Sequence, residues 1–346
     1  MITHSLVHED VWYPFSESIA EWDFDFHDLL LQDTVRMSAY KKAIFSAVQP
    51  GDIVVDLGTG TGILAVWALQ AGAERVHAID FNETLMQQAR KRIAQNGYSH
   101  RARFYQDISY NVQLPEKCNL LISEIIGNIA DNEDFLNIIK DARQRFLLPQ
   151  GGLLPTRVVS YLTPVEALSA HAQIARKTCQ TVNPSYDLTR LLEQNYIRSH
   201  FDIYYDSVIP DSALLANPAQ IKQFCFRDEE QSEYCSEMEY QVHRSGLLTG
   251  FKGHFVADLT DSVVLDISSG DIAANRVSCS WKHAFFPLET PIQVEIGDRI
   301  LVNFSRHYPE QKHHFRQIYR WAGKVYKDGQ LCKTFTHGMD FIPFSN

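Results

Sequence analysis

Three glycines at alternate positions, Gly58-Thr59-Gly60-Thr61-Gly62, follow the run Val54-Val55-Asp56-Leu57 and precede Ile63-Leu64. An apolar run that ends in an acid and breaks into such a turn is expected to be a buried parallel strand, with a helix starting at about Ile63. Turns of this kind let the backbone approach a nucleotide-like ligand. The dinucleotide fingerprint needs its third glycine three residues after the second, where this chain has Ile63, so the nicotinamide-dinucleotide spacing fails. The next apolar run ends Ala78-Ile79-Asp80-Phe81, and a carboxylate there can accept from both hydroxyls of a ribose. Two more acids stand apart. Glu124 closes the run Leu120-Leu121-Ile122-Ser123, and Glu133 follows nine residues later, after Gly127. A loop of that length can leave a sheet edge and return, placing two carboxylates side by side. Like charges in a semi-enclosed site repel, so the pair calls for a cation. A guanidinium meets the need, being planar, cationic and forked in its donors.

The surrounding pattern supplies elements to position these residues. His27 to Val48 has a broad apolar helical face and is stopped by Pro50-Gly51. Strand 53–57, helix 63–71, strand 75–80, helix 83–95, strands 102–106 and 119–123 and helix 133–147 then alternate, with Gly72, Asn82 and Gly97 as caps. Such alternation predicts a doubly wound parallel sheet over 27–150, with ligands at the carboxyl edge where Gly58, Asp80, Asp107 and Glu124 fall. Glu133 is expected at a helix start, where the helix dipole would keep it ionised. Residues 1–26 read as an aromatic, acidic N-terminal arm. After Gly151-Gly152 the texture changes, and 151–346 reads as an all-β barrel or sandwich. Leu153 to Leu162 is expected to be one strand, 167–225 a polar helical interval, and Asp328-Gly329 a type I′ hairpin turn.

Composition narrows the function. The chain has 346 residues, 45% hydrophobic and 21% charged, as expected of a globular protein with two cores. Its 32 Lys and Arg against 42 Asp and Glu give a net charge of −10, which predicts no nucleic acid partner and allows a cationic substrate. No apolar window reaches about 18 residues and no leader pattern opens the chain, so no membrane partner and a cytoplasmic location are expected. Six scattered cysteines without a C-x-x-C pair suggest no metal site and reduced, mostly buried thiols.

Asp56 with Gly58-x-Gly60-x-Gly62 resembles the first motif of class I S-adenosylmethionine (SAM) methyltransferases, with Asp80 in the place of the ribose acid. The implied cofactor is SAM, contacted by Asp56, Gly58, Thr59, Gly60, Gly62, Ile63, Leu64, Asp80, Phe81, Asp107, Ile108 and, at its methyl end, Glu124. Ser123-Glu124, Gly127 and Glu133 further resemble the paired-glutamate hairpin of the protein arginine methyltransferase family, and His27 to Arg36 resembles that family's helix over the cofactor. By this resemblance His27 and Arg36 would contact the SAM carboxylate, with Arg36 also steadying the glutamates. Glu124 and Glu133 would be the catalytic clamp on an arginine guanidinium, free or in a peptide. The family's β-barrel carries a helical arm for head-to-tail homodimerisation, which here corresponds to about 170–215. Ser280-Trp281 falls where the family has its Thr-His-Trp loop, near the substrate, with Ser280 in place of the histidine. Tyr13, Phe15 and Trp22 are candidates for the aromatic cover of the site. Two other readings stay open: a small-molecule N- or O-methyltransferase on the same fold, and a non-catalytic SAM-binding scaffold.

Overall fold

The computed structural model describes residues 6–14, 30–181, 188–194, 197–309 and 317–339. A short strand, β1 (Val11–Trp12), comes first, then helix α1 (Thr34–Ala47). Strand and helix alternate through β2 (Ile53–Leu57), α2 (Ile63–Ala71), β3 (Arg75–Asp80), α3 (Glu83–Gln95), β4 (Ala102–Gln106), β5 (Cys118–Ser123), α4 (Phe135–Phe146) and β6 (Leu147–Leu154). The five strands form a parallel sheet in the order β4-β3-β2-β5-β6. The chain runs outward from β2 through β3 and β4, then returns to lay β5 on the other side of β2. That reversal opens a crevice at the carboxyl ends of β2 and β5, where open α/β sheets bind ligands.

The remaining chain is mostly antiparallel. It contains β7 (Arg157–Val165), α5 (Leu168–Arg176), α6 (Leu188–Gln194), β8 (Tyr205–Ser207), β9 (Ala219–Phe224), β10 (Tyr234–Gln241) and β11 (Gly246–Thr260). It ends with β12 (Val263–Asp266), β13 (His283–Val294), β14 (Arg299–His307), β15 (Ile318–Lys327) and β16 (Gln330–Gly338). One sheet has the order β1-β8-β13-β11-β7-β9 with β12 beside β11, and a second has the order β10-β14-β15-β16. Inward-facing residues of both, among them Phe251, Phe286, Phe304 and Trp321, share one apolar core. The β15–β16 turn holds Asp328 at φ 47° and Gly329 at φ 75°, the two left-handed residues of a type I′ turn. A second core joins the units: Ile126 and Phe135 of the parallel-sheet unit cluster with Phe224, Phe255 and Trp281. Among the described residues no helix is long and apolar enough to cross a membrane.

Several expectations from the sequence are corrected. The segment Leu153 to Leu162 is two strands, because the chain leaves the parallel sheet after Leu154 and enters the antiparallel sheet at Arg157. The α4 helix starts at Phe135, so Glu133 lies in the turn ahead of it and the N-cap is Asp134. The interval 167–225 is only partly helical, since β8 and β9 fall within it. Helix α1 begins at Thr34 with Asp33 as N-cap, after a separate helical stretch at 30–32. None of the six cysteines is in a disulfide, but only Cys118 is buried. Tyr13 lies in the core of the antiparallel unit with Val11, away from the crevice. His27, Phe15 and Trp22 lie outside the described residues.

Candidate active site

The glycine turn is shaped by packing on both sides. Gly62 has φ 79°, and a Cβ added there would lie 2.9 Å from the Cα and Cβ of Ala89 on α3. Gly62→Val is therefore expected to destabilise the protein by about 2–6 kcal/mol, from left-handed strain and overpacking together. Equilibrium urea unfolding checks this, and a change below about 0.5 kcal/mol, typical of a neutral surface substitution, would contradict it.

Asp56 is fully buried, and its Oδ2 accepts from the Thr59 hydroxyl at 2.6 Å and from Ala65 N–H at 3.0 Å. It braces the strand, the turn and the start of α2 from inside. Asp56 and Gly62 stand behind the crevice lining, where both support the turn. Burial pushes the Asp56 carboxyl up from 3.8 to about 7, against the pull of its two hydrogen bonds. In the unfolded chain the acid ionises near 3.8, so between about pH 4 and pH 7 the native state holds the extra proton. Stability should fall as pH rises through that window, by on the order of a few kcal/mol. Asp56→Asn keeps an acceptor for both donors and should flatten that part of the profile. Urea unfolding of both proteins at the two ends of the window reads the slope, and equal slopes would contradict the assignment.

The crevice itself is an open cleft of about 410 Å³. Gly58, Thr59, Gly60, Ile63, Leu64, Asp80, Phe81, Asp107, Ile108, Arg36, Glu124, Glu133, Ser280 and Trp281 all line it. The chemistry changes in order along the sheet edge. After β4 come Asp107 and the half-exposed Ile108 and Tyr110, and after β3 come Asp80 and the exposed Phe81. The glycine turn follows β2, and Glu124 with Arg36 stands beyond β5. Asp80 is nearly buried and accepts from Gly60 N–H at 2.8 Å and Asn82 N–H at 2.9 Å, with Phe81 N–H as a further donor. A carboxylate has about four acceptor sites, so three donors leave it able to accept from a ligand. Burial pushes its pKa up while these N–H donors pull it down. The Ile108 N–H already donates to Asp107 Oδ1 at 2.7 Å, as does Asn111 Nδ2 at 3.0 Å.

At the other end Arg36 is ion-paired with Glu124, both largely buried. The Arg36 guanidinium stands 5.5 Å from the Trp281 ring centre, and Trp281 Nε1 donates to Ile126 O at 2.7 Å. The indole thus ties the barrel to the loop that carries the two glutamates. Ser280 faces Asp33, whose Oδ2 accepts from the Ser280 hydroxyl at 2.6 Å and its N–H at 3.0 Å, and from the Ser278 hydroxyl. The other oxygen of Asp33 accepts from Arg36 N–H at 3.0 Å, capping α1. Ser280 therefore anchors the start of the helix that presents Arg36. His283 takes no part, since it is buried between Ile209 N–H at 3.0 Å and Ile267 O at 3.1 Å.

Some lining residues had not been singled out from sequence. Asn128 and Asp206 both line the cleft and are joined by a 2.7 Å bond from Asn128 Nδ2 to Asp206 Oδ1. Tyr110 and Ile138 are others. Asp33 had a local signal, an acid immediately before a helical run, but its partners lie far along the chain.

Residues 157–338, more than half of the chain, match the family model described as the PRMT5 oligomerisation domain. The chain belongs to the protein arginine methyltransferase family. Residues 34–153 match the model of ribosomal protein L11 methyltransferase (PrmA). Protein arginine N-methyltransferase 2 of Xenopus tropicalis is 29% identical over 300 residues, which cover 83% of this chain and 67% of that protein. Protein arginine N-methyltransferase PRMT10 of Oryza sativa subsp. japonica is 25% identical over 324 residues, covering 86% and 85%. The fold is shared with Arabidopsis thaliana protein arginine methyltransferase 10, at TM-score 0.78 and 21% identity over 93% of this chain and 99% of that one. It is shared too with the Trypanosoma brucei PRMT1 enzyme-prozyme complex with AdoHcy, at TM-score 0.76 and 20% identity, covering 92% and 99%.

Proposed function

We infer that this chain is a SAM-dependent methyltransferase that places a methyl group on a guanidino nitrogen of arginine. The observation that carries the reading is the union, in one cleft, of Arg36, Glu124 and Glu133 at the end of β5 with the glycine turn of β2 and the acid of β3. A cation at one end, an acid in the middle and exposed flat or apolar side chains at the other fit SAM. Arg36 would hold its carboxylate, Asp80 its ribose, and Phe81 and Ile108 would flank its base. When bound, SAM supplies an electrophilic methyl group.

The chain's own residues do the positioning. Glu124 and Glu133 accept from the acceptor's guanidinium on two sides, which fixes its plane and leaves one nitrogen to face the methyl donor. Their charge keeps the guanidinium cationic, and its intrinsically high basicity means that its proton leaves to water only after the methyl's bond to the donor sulfur has been exchanged for the new N–C bond. Arg36, paired with Glu124, keeps that carboxylate aimed and offsets the mutual repulsion of the acids. Trp281 closes the acceptor end and Ser280 supports α1 through Asp33. The oligomerisation-domain match supports a second copy of the chain as partner, with the helices α5 and α6 as the arm.

Mass spectrometry of reactions with SAM and free arginine, agmatine, an Arg-Gly-Gly peptide or a cell extract tests the reading. A methyl group on a guanidino nitrogen is expected. Methylation confined to an oxygen or a non-guanidino nitrogen would replace it with the small-molecule reading, and no transfer to any acceptor with retained SAM binding would favour a scaffold.

A further inference from the structure

The loop between β5 and α4 carries four acids that face two ways. Glu124 and Glu133 line the cleft, whereas Asp131 and Asp134 turn toward the antiparallel unit. There they meet Arg306 of β14, which is 1% exposed. Its Nη2 donates to Asp134 Oδ1 at 3.1 Å, its Nε lies 3.6 Å from Asp131 Oδ2, and its Nη1 donates to Ser232 O at 3.0 Å. The same surface grips the rest of the loop. The Tyr319 hydroxyl donates to Asp131 Oδ1 at 2.9 Å, Gln317 Nε2 to Asn132 O at 2.7 Å, and the Tyr308 hydroxyl to Asp134.

We propose that Arg306 is a positioning residue for Glu133, bridging Asp131 and Asp134 so that the second unit sets the acceptor-side carboxylate in place. The proposal rests on the acceptor reading above. Its physical basis is the loop's own conformation. Ala130 and Asp134 both have positive φ, at 71° and 58°, a backbone that L residues adopt at a cost and keep only where surroundings enforce it. Within the loop a bridge between Gly127 and Ala130 and the bonds of Asn132 to Ile129 N–H and Asn128 fix its first part. Around Glu133 the holding contacts come from the barrel's side chains, and among the described residues Arg306 is the one that reaches both flanking acids. Burial works against the charge of Arg306, and Asp131 together with the Tyr319 and Tyr308 hydroxyls more than offsets it, so the guanidinium stays cationic. Such an ion pair is weak support for stability in itself, since apolar groups of equal volume often serve as well. What a planar fork adds is a fixed geometry between two carboxylates.

The test compares wild type with Arg306→Met and Arg306→Lys in the full chain. The readouts are kcat on the guanidino acceptor, SAM Kd by equilibrium binding, and amide hydrogen exchange over 128–134. Arg306→Met should lower kcat about 100-fold, the scale of a displaced catalytic group, and leave SAM Kd within about threefold. Exchange should quicken over 128–134 and stay unchanged over 56–65. Arg306→Lys, able to meet one of the two acids, should recover at least about tenfold of the lost kcat. A kcat for Arg306→Met within about twofold of wild type would overturn the proposal. So would loss of SAM binding together with protection throughout the chain, which would make Arg306 a support of the whole fold. If wild type methylates no guanidino acceptor, the acceptor reading fails by itself, and hydrogen exchange still decides whether Arg306 orders the loop.

Discussion

Glu124→Gln should lower kcat by about a hundred- to a thousandfold, the usual effect of losing one charged group aimed at a reacting centre. The change is nearly isosteric, so its effect is chemical. Gln presents an N–H2 where the acceptor's guanidinium needs an acceptor, so two donors would face each other. It also weakens the ion pair with Arg36, a pair largely buried on both sides. Because Asp80 and the glycine turn lie on other strands, SAM Kd should change less than about tenfold. Steady-state kinetics with an arginine peptide, alongside equilibrium SAM binding, separate the two effects. Unchanged kcat would remove Glu124 from the clamp.

Arg36→Met should act on both ligands. The guanidinium would be lost from the cofactor end, weakening SAM binding about tenfold to a hundredfold, as for a charge-assisted hydrogen bond worth about 1.5–3 kcal/mol. It would also leave Glu124 a largely buried carboxylate without its cation, and remove the cationic group over Trp281. Breaking one side of such a pair costs more than the pair contributes. Acceptor turnover should therefore fall even at saturating SAM. An unchanged SAM Kd would contradict the placement of Arg36 at the cofactor.

The parallel unit was legible almost residue by residue because its signals are local. Asn82 opens α3, Gly72 ends α2, and the acids Asp80 and Glu124 each close an apolar run, so short-range patterns set both the elements and the edge they share. The failures are those of long-range causes. Pro155-Thr156-Arg157 marks a break within Leu153 to Leu162, but nothing there reveals that the chain changes sheets. Ser280 looked like a missing histidine until its bond to Asp33, 247 positions away, gave it a place. Arg306 had not been singled out from sequence. Its meaning depends on Asp131 and Asp134, which the fold brings to it from the other unit.

The central claim is that Glu124 and Glu133 together hold the acceptor's guanidinium at the end of β5. A crystal structure of the chain with S-adenosylhomocysteine and an arginine peptide tests it most directly. The account predicts one guanidinium within about 3 Å of a carboxylate oxygen of each glutamate, the spacing of charge-assisted hydrogen bonds. A guanidinium that touches neither glutamate, or a cleft that takes the cofactor product and leaves the peptide outside, would contradict it.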